Sequence, residues 1–168
     1  MSSIVRITDT FAVTGALDAA GIAEAARLGF RAILSNRPDG EEDGQITARE
    51  EARLAWAAGL QFRHVPAAKH DVMTDEVIEG TADALVGLKG PVLAHCKSGM
   101  RSLIIWAAAT SRSQPVDCVL ETLRASGHDL DFLRDDLELQ ADRARWLPPS
   151  PALDCGCPPA DADATKAA

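Results

Sequence analysis

The chain of 168 residues carries 17 Lys+Arg against 25 Asp+Glu and is 46% hydrophobic, enough to bury one sizeable core in a single globular domain. A net charge of −8 leaves no broad basic face, which argues against nucleic-acid and membrane partners and confines any anion site to a small, local pocket. Residues 1–6 lack a basic-then-apolar leader, residues 103–109 are too short to span a bilayer, and four cysteines do not read as a disulfide framework, so a cytoplasmic protein with reduced thiols is expected.

Residues 4–7 and 11–13 are short β-branched or aromatic runs separated by Asp9 and Thr10, the pattern of two strands or a hairpin. From Asp18, an N-cap residue type, Ile22, Ala25, Ala26 and Leu28 recur at helical spacing as far as Gly29. Residues 30–34 then read as a strand running into the turn-rich segment 36–44. Thr47 and Glu50 make a capping box for a helix with Leu54 and Ala58 on one face, closed by Gly59, and residues 60–65 are the next strand. Thr74 is placed to cap a helix carrying Val77, Ile78, Ala82, Leu85 and Leu88, and residues 91–95 form a nearly continuous apolar run, as in a strand buried on both faces. Strands alternating with helices imply an α/β fold with right-handed crossovers and a mainly parallel central sheet flanked by helices. Residues 102–110, 116–125 and 133–146 read as three further helices. The prolines at 148, 149 and 151 stop the last of these, so the domain is expected over 1–146, with 147–168 a weakly packed Pro/Ala-rich tail.

The chemistry concentrates between the buried strand and the helix after it, in His95-Cys96-Lys97-Ser98-Gly99-Met100-Arg101-Ser102. In an open α/β sheet that junction lies at the carboxyl edge, where ligands bind. A short loop there turns backbone N–H groups toward its own centre, and the helix adds its unpaired amides and positive dipole end, so an anion is the expected occupant. Cys96 shares that field, which favours its thiolate as a nucleophile. Arg101 supplies a planar fork able to hold two oxygens of a tetrahedral or thiosulfate-like anion. Gly99 permits the tight turn. Lys97, Ser98, Met100 and Ser102 complete the set of substrate contacts, and His95, inside a buried strand, is expected to orient the loop from behind.

This loop resembles the anion loop of cysteine-dependent phosphatases and of rhodaneses. Together with Asn36-Arg37-Pro38-Asp39-Gly40-Glu41 and the order of elements, it is similar to the phosphatase-like domain of beta-lactamase hydrolase-like proteins, a bacterial family also classed with sulfur transferases. The resemblance covers residues 4–146 and implies a protein tyrosine phosphatase-like fold with Cys96 as nucleophile. Two departures from ordinary tyrosine phosphatases bear on the reaction. Those enzymes place five residues between loop cysteine and arginine, whereas four stand between Cys96 and Arg101, a rhodanese-like spacing. They also place a general-acid Asp in the loop matching residues 65–69, which has none; Asp71 is the nearest substitute. Losing a general acid costs a phosphoester reaction about 10²- to 10⁴-fold, whereas sulfur transfer from thiosulfate releases sulfite, which leaves without a proton.

The expected activity is therefore a cysteine-dependent sulfurtransferase working through a Cys96 persulfide. It needs no cofactor and no metal; its partners are a small sulfur-containing or phosphate-like anion and a thiol acceptor. A phosphatase working through a phosphocysteine, with Asp71 as acid, is the alternative enzyme, and a non-catalytic anion-binding module the alternative outside enzymes. Arg37 and His70 are candidate pocket residues because both follow strands that end at the same sheet edge. Cys118 reads as a core residue on an apolar helical stripe. Cys155 and Cys157 could form a resolving thiol pair or half a metal site, and are expected to be an incidental tail motif.

Overall fold

A computed structural model of the chain describes residues 3–157. Five strands, β1 (Val5–Arg6), β2 (Phe11–Thr14), β3 (Ala32–Ser35), β4 (Gln61–His64) and β5 (Val92–His95), form one sheet in the order β1-β2-β5-β3-β4. Only β1 pairs antiparallel; β2, β5, β3 and β4 run parallel, as the alternating pattern predicts. Parallel pairing puts β5 at the centre and sets Thr14, His95 and Ser35 side by side at the carboxyl edge, with His64 beyond them.

The two faces of the sheet follow the strand period of two. Ala12, Ile33 and Leu93 point to one side, where they pack with Ile22 of α1 (Ala19–Arg27) and Ala55 of α2 (Ala48–Ala57). Their neighbours Phe11, Val13, Ala32, Leu34, Val92 and Ala94 point to the other, against α3 (Asp75–Gly87), α4 (Met100–Ser111), α5 (Val116–Ala125) and α6 (Arg134–Arg143). α4 lies in the middle of that layer; Leu103, Ile105 and Trp106 are buried, and the Trp106 ring stacks on Phe11 at 5.5 Å. A fully buried Leu or Ile contributes about 1.5–3 kcal/mol, so the helix that follows the cysteine loop is anchored by its own apolar side.

The helix caps also have local causes. Asp18 accepts from Gly21 N–H at 2.8 Å and Thr47 from Glu50 N–H at 3.3 Å, as expected of both residues. Thr74 differs: it precedes α3, but its hydroxyl donates to Asp71 O at 2.8 Å instead of capping the helix. α4 starts at Met100, two residues earlier than the apolar pattern suggests, because Gly99 itself is its N-cap. The last predicted helix is shorter, preceded by a 3₁₀ turn (Asp131–Leu133) and ending at Arg143.

Beyond α6 the structure corrects two expectations. The segment to residue 157 is not weakly packed, because Leu153 and Cys155 are buried in the main core and Leu153 is bonded to Ser113 and Gln114. Nor are all the thiols reduced, since Cys118 and Cys157 form a disulfide. Both follow from the chain folding back onto α5, a long-range contact that composition does not reveal. The rest of the expected tail, 158–168, lies outside the described residues.

Candidate active site

β5 delivers His95 and Cys96 to the carboxyl edge, and three connections are stitched around them. Asn36 N–H donates to His95 O (2.8 Å), Val65 N–H to Ser35 O (2.9 Å), Ala67 N–H to Asn36 O (3.1 Å), and the Asn36 side-chain amide to Val65 O (2.9 Å). On the other side Ala16 N–H donates to Lys97 O at 3.1 Å. The loop is therefore held by backbone bonds from the segments after β2 and β3, the latter braced in turn by the segment after β4, a preorganised frame.

Cys96 is fully buried at the base of this loop, and Gly99 N–H points at its Sγ, 3.1 Å away. Gly99 has φ +92°, and a Cβ there would stand 3.0 Å from Thr14 O; both the left-handed turn and the close carbonyl demand glycine. Ser102, in the first turn of α4, is buried with its hydroxyl unpartnered among the described residues, whereas Lys97, Ser98 and Met100 are exposed on the outside of the loop.

Arg101 is buried at the mouth. Its Nη1 donates to Ala67 O at 2.7 Å and its Nη2 to Glu41 at 2.8 Å, which leaves Nε–H without a partner among the described residues. Glu41 also accepts from Arg37 Nε at 3.2 Å, so one carboxylate joins the two arginines that the sequence placed at the same edge. Glu42 pairs with Arg37 and with Lys97, drawing the segment after β3 across the loop. Burial acts to raise the Glu41 carboxyl, but hydrogen bonds and charge from Arg101 and Arg37 outweigh it and hold the group below its ordinary value. Glu42 is lowered as well, chiefly by its hydrogen bond with Lys97. Both are therefore ionised near neutrality.

Behind the loop, His95 follows Leu93 onto the α1/α2 face and meets Glu51 of α2, which is also buried; His95 Nε2 lies 3.4 Å from the carboxylate, near enough for an ion pair but not aligned as a hydrogen bond. The other two sequence candidates sit apart. His70 is exposed, 3.4 Å from Asp71. Asp71 lines a cavity of about 500 Å³ with His64, Val65, Thr74 and Val77, and among the described residues no hydrogen bond or ion pair joins it to Cys96 or Arg101. The sequence reading assigned no role to Glu41, Glu42, Glu51 or the Ala67 carbonyl. Two signals were available: the i,i+4 spacing of Arg37 and Glu41, and Glu51 standing four residues before buried Ala55 on the apolar side of α2.

Comparison with known proteins agrees with this fold. Residues 3–113 match the family model of the beta-lactamase hydrolase-like protein, phosphatase-like domain. A beta-lactamase hydrolase-like protein of Xylella fastidiosa is 36% identical over 104 residues, 62% of this chain and 24% of the relative, so the chain spans about a quarter of that protein's length. A crystal structure from Neisseria meningitidis Z2491, provisionally assigned as a phosphatase, superposes with a TM-score of 0.68 at 28% identity, covering 82% of this chain and 97% of that one. A mutant form of Tk-PTP shares the fold with a TM-score of 0.60 at 20% identity over 86% of this chain and 98% of its own. With a protein tyrosine phosphatase-like sheet, a buried cysteine at the junction of β5 and α4 and this family match over residues 3–113, the chain belongs to the phosphatase-like domain family of beta-lactamase hydrolase-like proteins.

Proposed function

We propose that the chain is a sulfurtransferase that carries sulfane sulfur on Cys96. The observation that carries this reading is the state of the carboxylates at the mouth: Glu41 and Glu42 are tied to Arg101, Arg37 and Lys97 and held ionised, while Asp71 faces another cavity. The site thus combines a nucleophile with anion-holding groups, and among the described residues no carboxylic acid is placed to protonate a leaving group, which suits one that needs no proton. The Cys96 thiolate attacks the outer sulfur of thiosulfate; the new S–S bond forms as the S–SO₃ bond breaks, and sulfite departs with the bonding pair. Arg101 Nε–H, the loop amides and the start of α4 hold the sulfonate charge during this step. An acceptor thiolate then attacks the terminal sulfur of the persulfide, taking that sulfur and regenerating the Cys96 thiolate.

A second reading, hydrolysis of a phosphoester through a phosphocysteine, is favoured by the provisional phosphatase assignment of the Neisseria structure. It needs a proton donor, for which Asp71 is the sequence candidate. Intact-mass spectrometry after thiosulfate treatment separates the two: a gain of one sulfur, absent in Cys96→Ser, is expected. Turnover of thiosulfate with cyanide is expected to exceed that of p-nitrophenyl phosphate in kcat/KM, with Asp71→Asn leaving it unchanged. Preference for the phosphoester, with a steep loss in Asp71→Asn, would replace the proposed reaction by phosphatase chemistry.

A further inference from the structure

Away from the Cys96 loop, the end of the described chain brings three sulfurs together. Leu153 N–H donates to Ser113 Oγ (3.3 Å), Gln114 Nε2 donates to Leu153 O (3.1 Å), and Thr122 Oγ1 donates to Cys155 O (2.6 Å), laying the segment along α5. Cys118 of α5 is bonded to Cys157, their Cα atoms 6.3 Å apart. Cys155, reduced and 3% exposed, places its Sγ 2.8 Å from Cys118 Sγ, and the three sulfurs lie within 4.8 Å of one another. A free thiol in contact with one sulfur of a disulfide is the arrangement from which exchange starts, and the two-residue step from Cys155 to Cys157 lets either reach Cys118 with little backbone change.

We propose that Cys118, Cys155 and Cys157 form a thiol–disulfide exchange site that takes small disulfides and thiols as its substrate class. The Cys155 thiolate attacks Cys118 Sγ, a Cys118–Cys155 bond forms, and the Cys118–Cys157 bond breaks with its electron pair on Cys157. The proton given up by Cys155 is replaced by one taken up on Cys157, so the step involves no net oxidation. Cys157, the more exposed of the tail pair, is then the thiolate that attacks an external disulfide, forming a mixed disulfide and releasing one equivalent of small thiol. An external thiolate then attacks the small-thiol sulfur of the mixed disulfide, a new small disulfide departs, and the freed Cys157 thiolate returns to Cys118 Sγ as the Cys118–Cys155 bond breaks with its electron pair on Cys155, which takes up a proton. This site is independent of the reaction assigned to Cys96.

The test equilibrates the full chain with mixed reduced and oxidised glutathione, quenches with acid, alkylates the free thiols and maps the bonds by fragmentation mass spectrometry. The wild type is expected to contain both Cys118–Cys157 and Cys118–Cys155 forms together with glutathione on Cys157. Cys157→Ser is expected to retain a Cys118–Cys155 bond, Cys118→Ser to lose both bonds, and Cys96→Ser to leave the pattern unchanged. The wild-type arm decides alone if a variant does not fold. Cys155 fully alkylated in every wild-type molecule would overturn the proposal. So would protection of all three reduced thiols that a chelator releases, which would mark a soft-metal site instead.

Discussion

On the proposed reading Cys96 is the nucleophile of the loop and Arg101 its anion holder, and each role gives a separate expectation. Cys96→Ser keeps the size of the side chain and the Gly99 N–H bond but supplies a hydroxyl that does not ionise there, so turnover of thiosulfate and of phosphoesters is expected to vanish while the thermal transition stays in place. Unchanged activity would remove both enzyme readings and leave an anion-binding module. Arg101→Lys keeps the charge but not the fork that contacts Ala67 O and Glu41 while leaving Nε–H for a ligand. Isothermal titration with sulfate or thiosulfate is expected to show affinity weakened about tenfold or more, the scale of one charge-assisted hydrogen bond. Equal affinities in the two proteins would take the anion away from Arg101. The cysteine and the arginine were legible in the sequence from type and spacing. Glu41 and Glu51 were not given roles, because a carboxylate a few residues from a basic residue is common on any surface; what distinguishes them is the assembled fold, which sets half-buried Glu41 between Arg37 and Arg101 and buries Glu51 beside His95.

At the scale of elements, the loop works because two of its neighbours are rigid. β5 is paired on both sides, and α4 is buried along most of its length, so the short connection between them has little freedom. Gly99 is the point where that rigidity is felt, with its positive φ and the Thr14 carbonyl 3.0 Å from any added Cβ. Gly99→Ala is expected to lower stability by about 2 kcal/mol or more, and to move the N–H that faces Cys96. Denaturant unfolding and kcat/KM together check this; a variant with wild-type values of both would show that the turn relaxes freely. The parallel strands and the first helices were readable because their signals are local: period-two burial, Asp18 and Thr47 as caps, and glycines at helix ends. The seating of residues 151–157 was not readable, since Pro and Ala composition predicts weak packing and only the fold shows that Leu153 and Cys155 find a groove beside α5.

Across the whole molecule, one ion network ties α3, α4 and α6 together and gives a specific expectation for the response to acid. Arg112 at the end of α4 is almost fully buried and reaches Asp75 and Glu79 of α3 and Gln140 of α6, while Arg143 of α6 reaches Asp75 as well. Burial acts to raise the Asp75 carboxyl, but the hydrogen bonds and charges of Arg143 and Arg112 more than offset it, so the folded protein holds Asp75 below the ordinary value of 3.8. A carboxyl lowered on folding contributes stability that is fully present above its unfolded pKa and is lost as pH falls through the lower folded value. The contribution of Asp75 is therefore intact at neutral pH and disappears only below about pH 4, near the model-peptide range for Asp. Asp75→Asn is expected to cost about 1–3 kcal/mol at pH 7, since Arg112 keeps its bonds to Gln140 but loses one charged partner. Thermal melts from pH 7 to pH 3 are expected to show a constant gap between wild type and variant down to about pH 4 and a narrowing gap below it, because only the wild type has that pair left to lose. Curves that stay parallel to pH 3 would show that Asp75 does not contribute to acid lability.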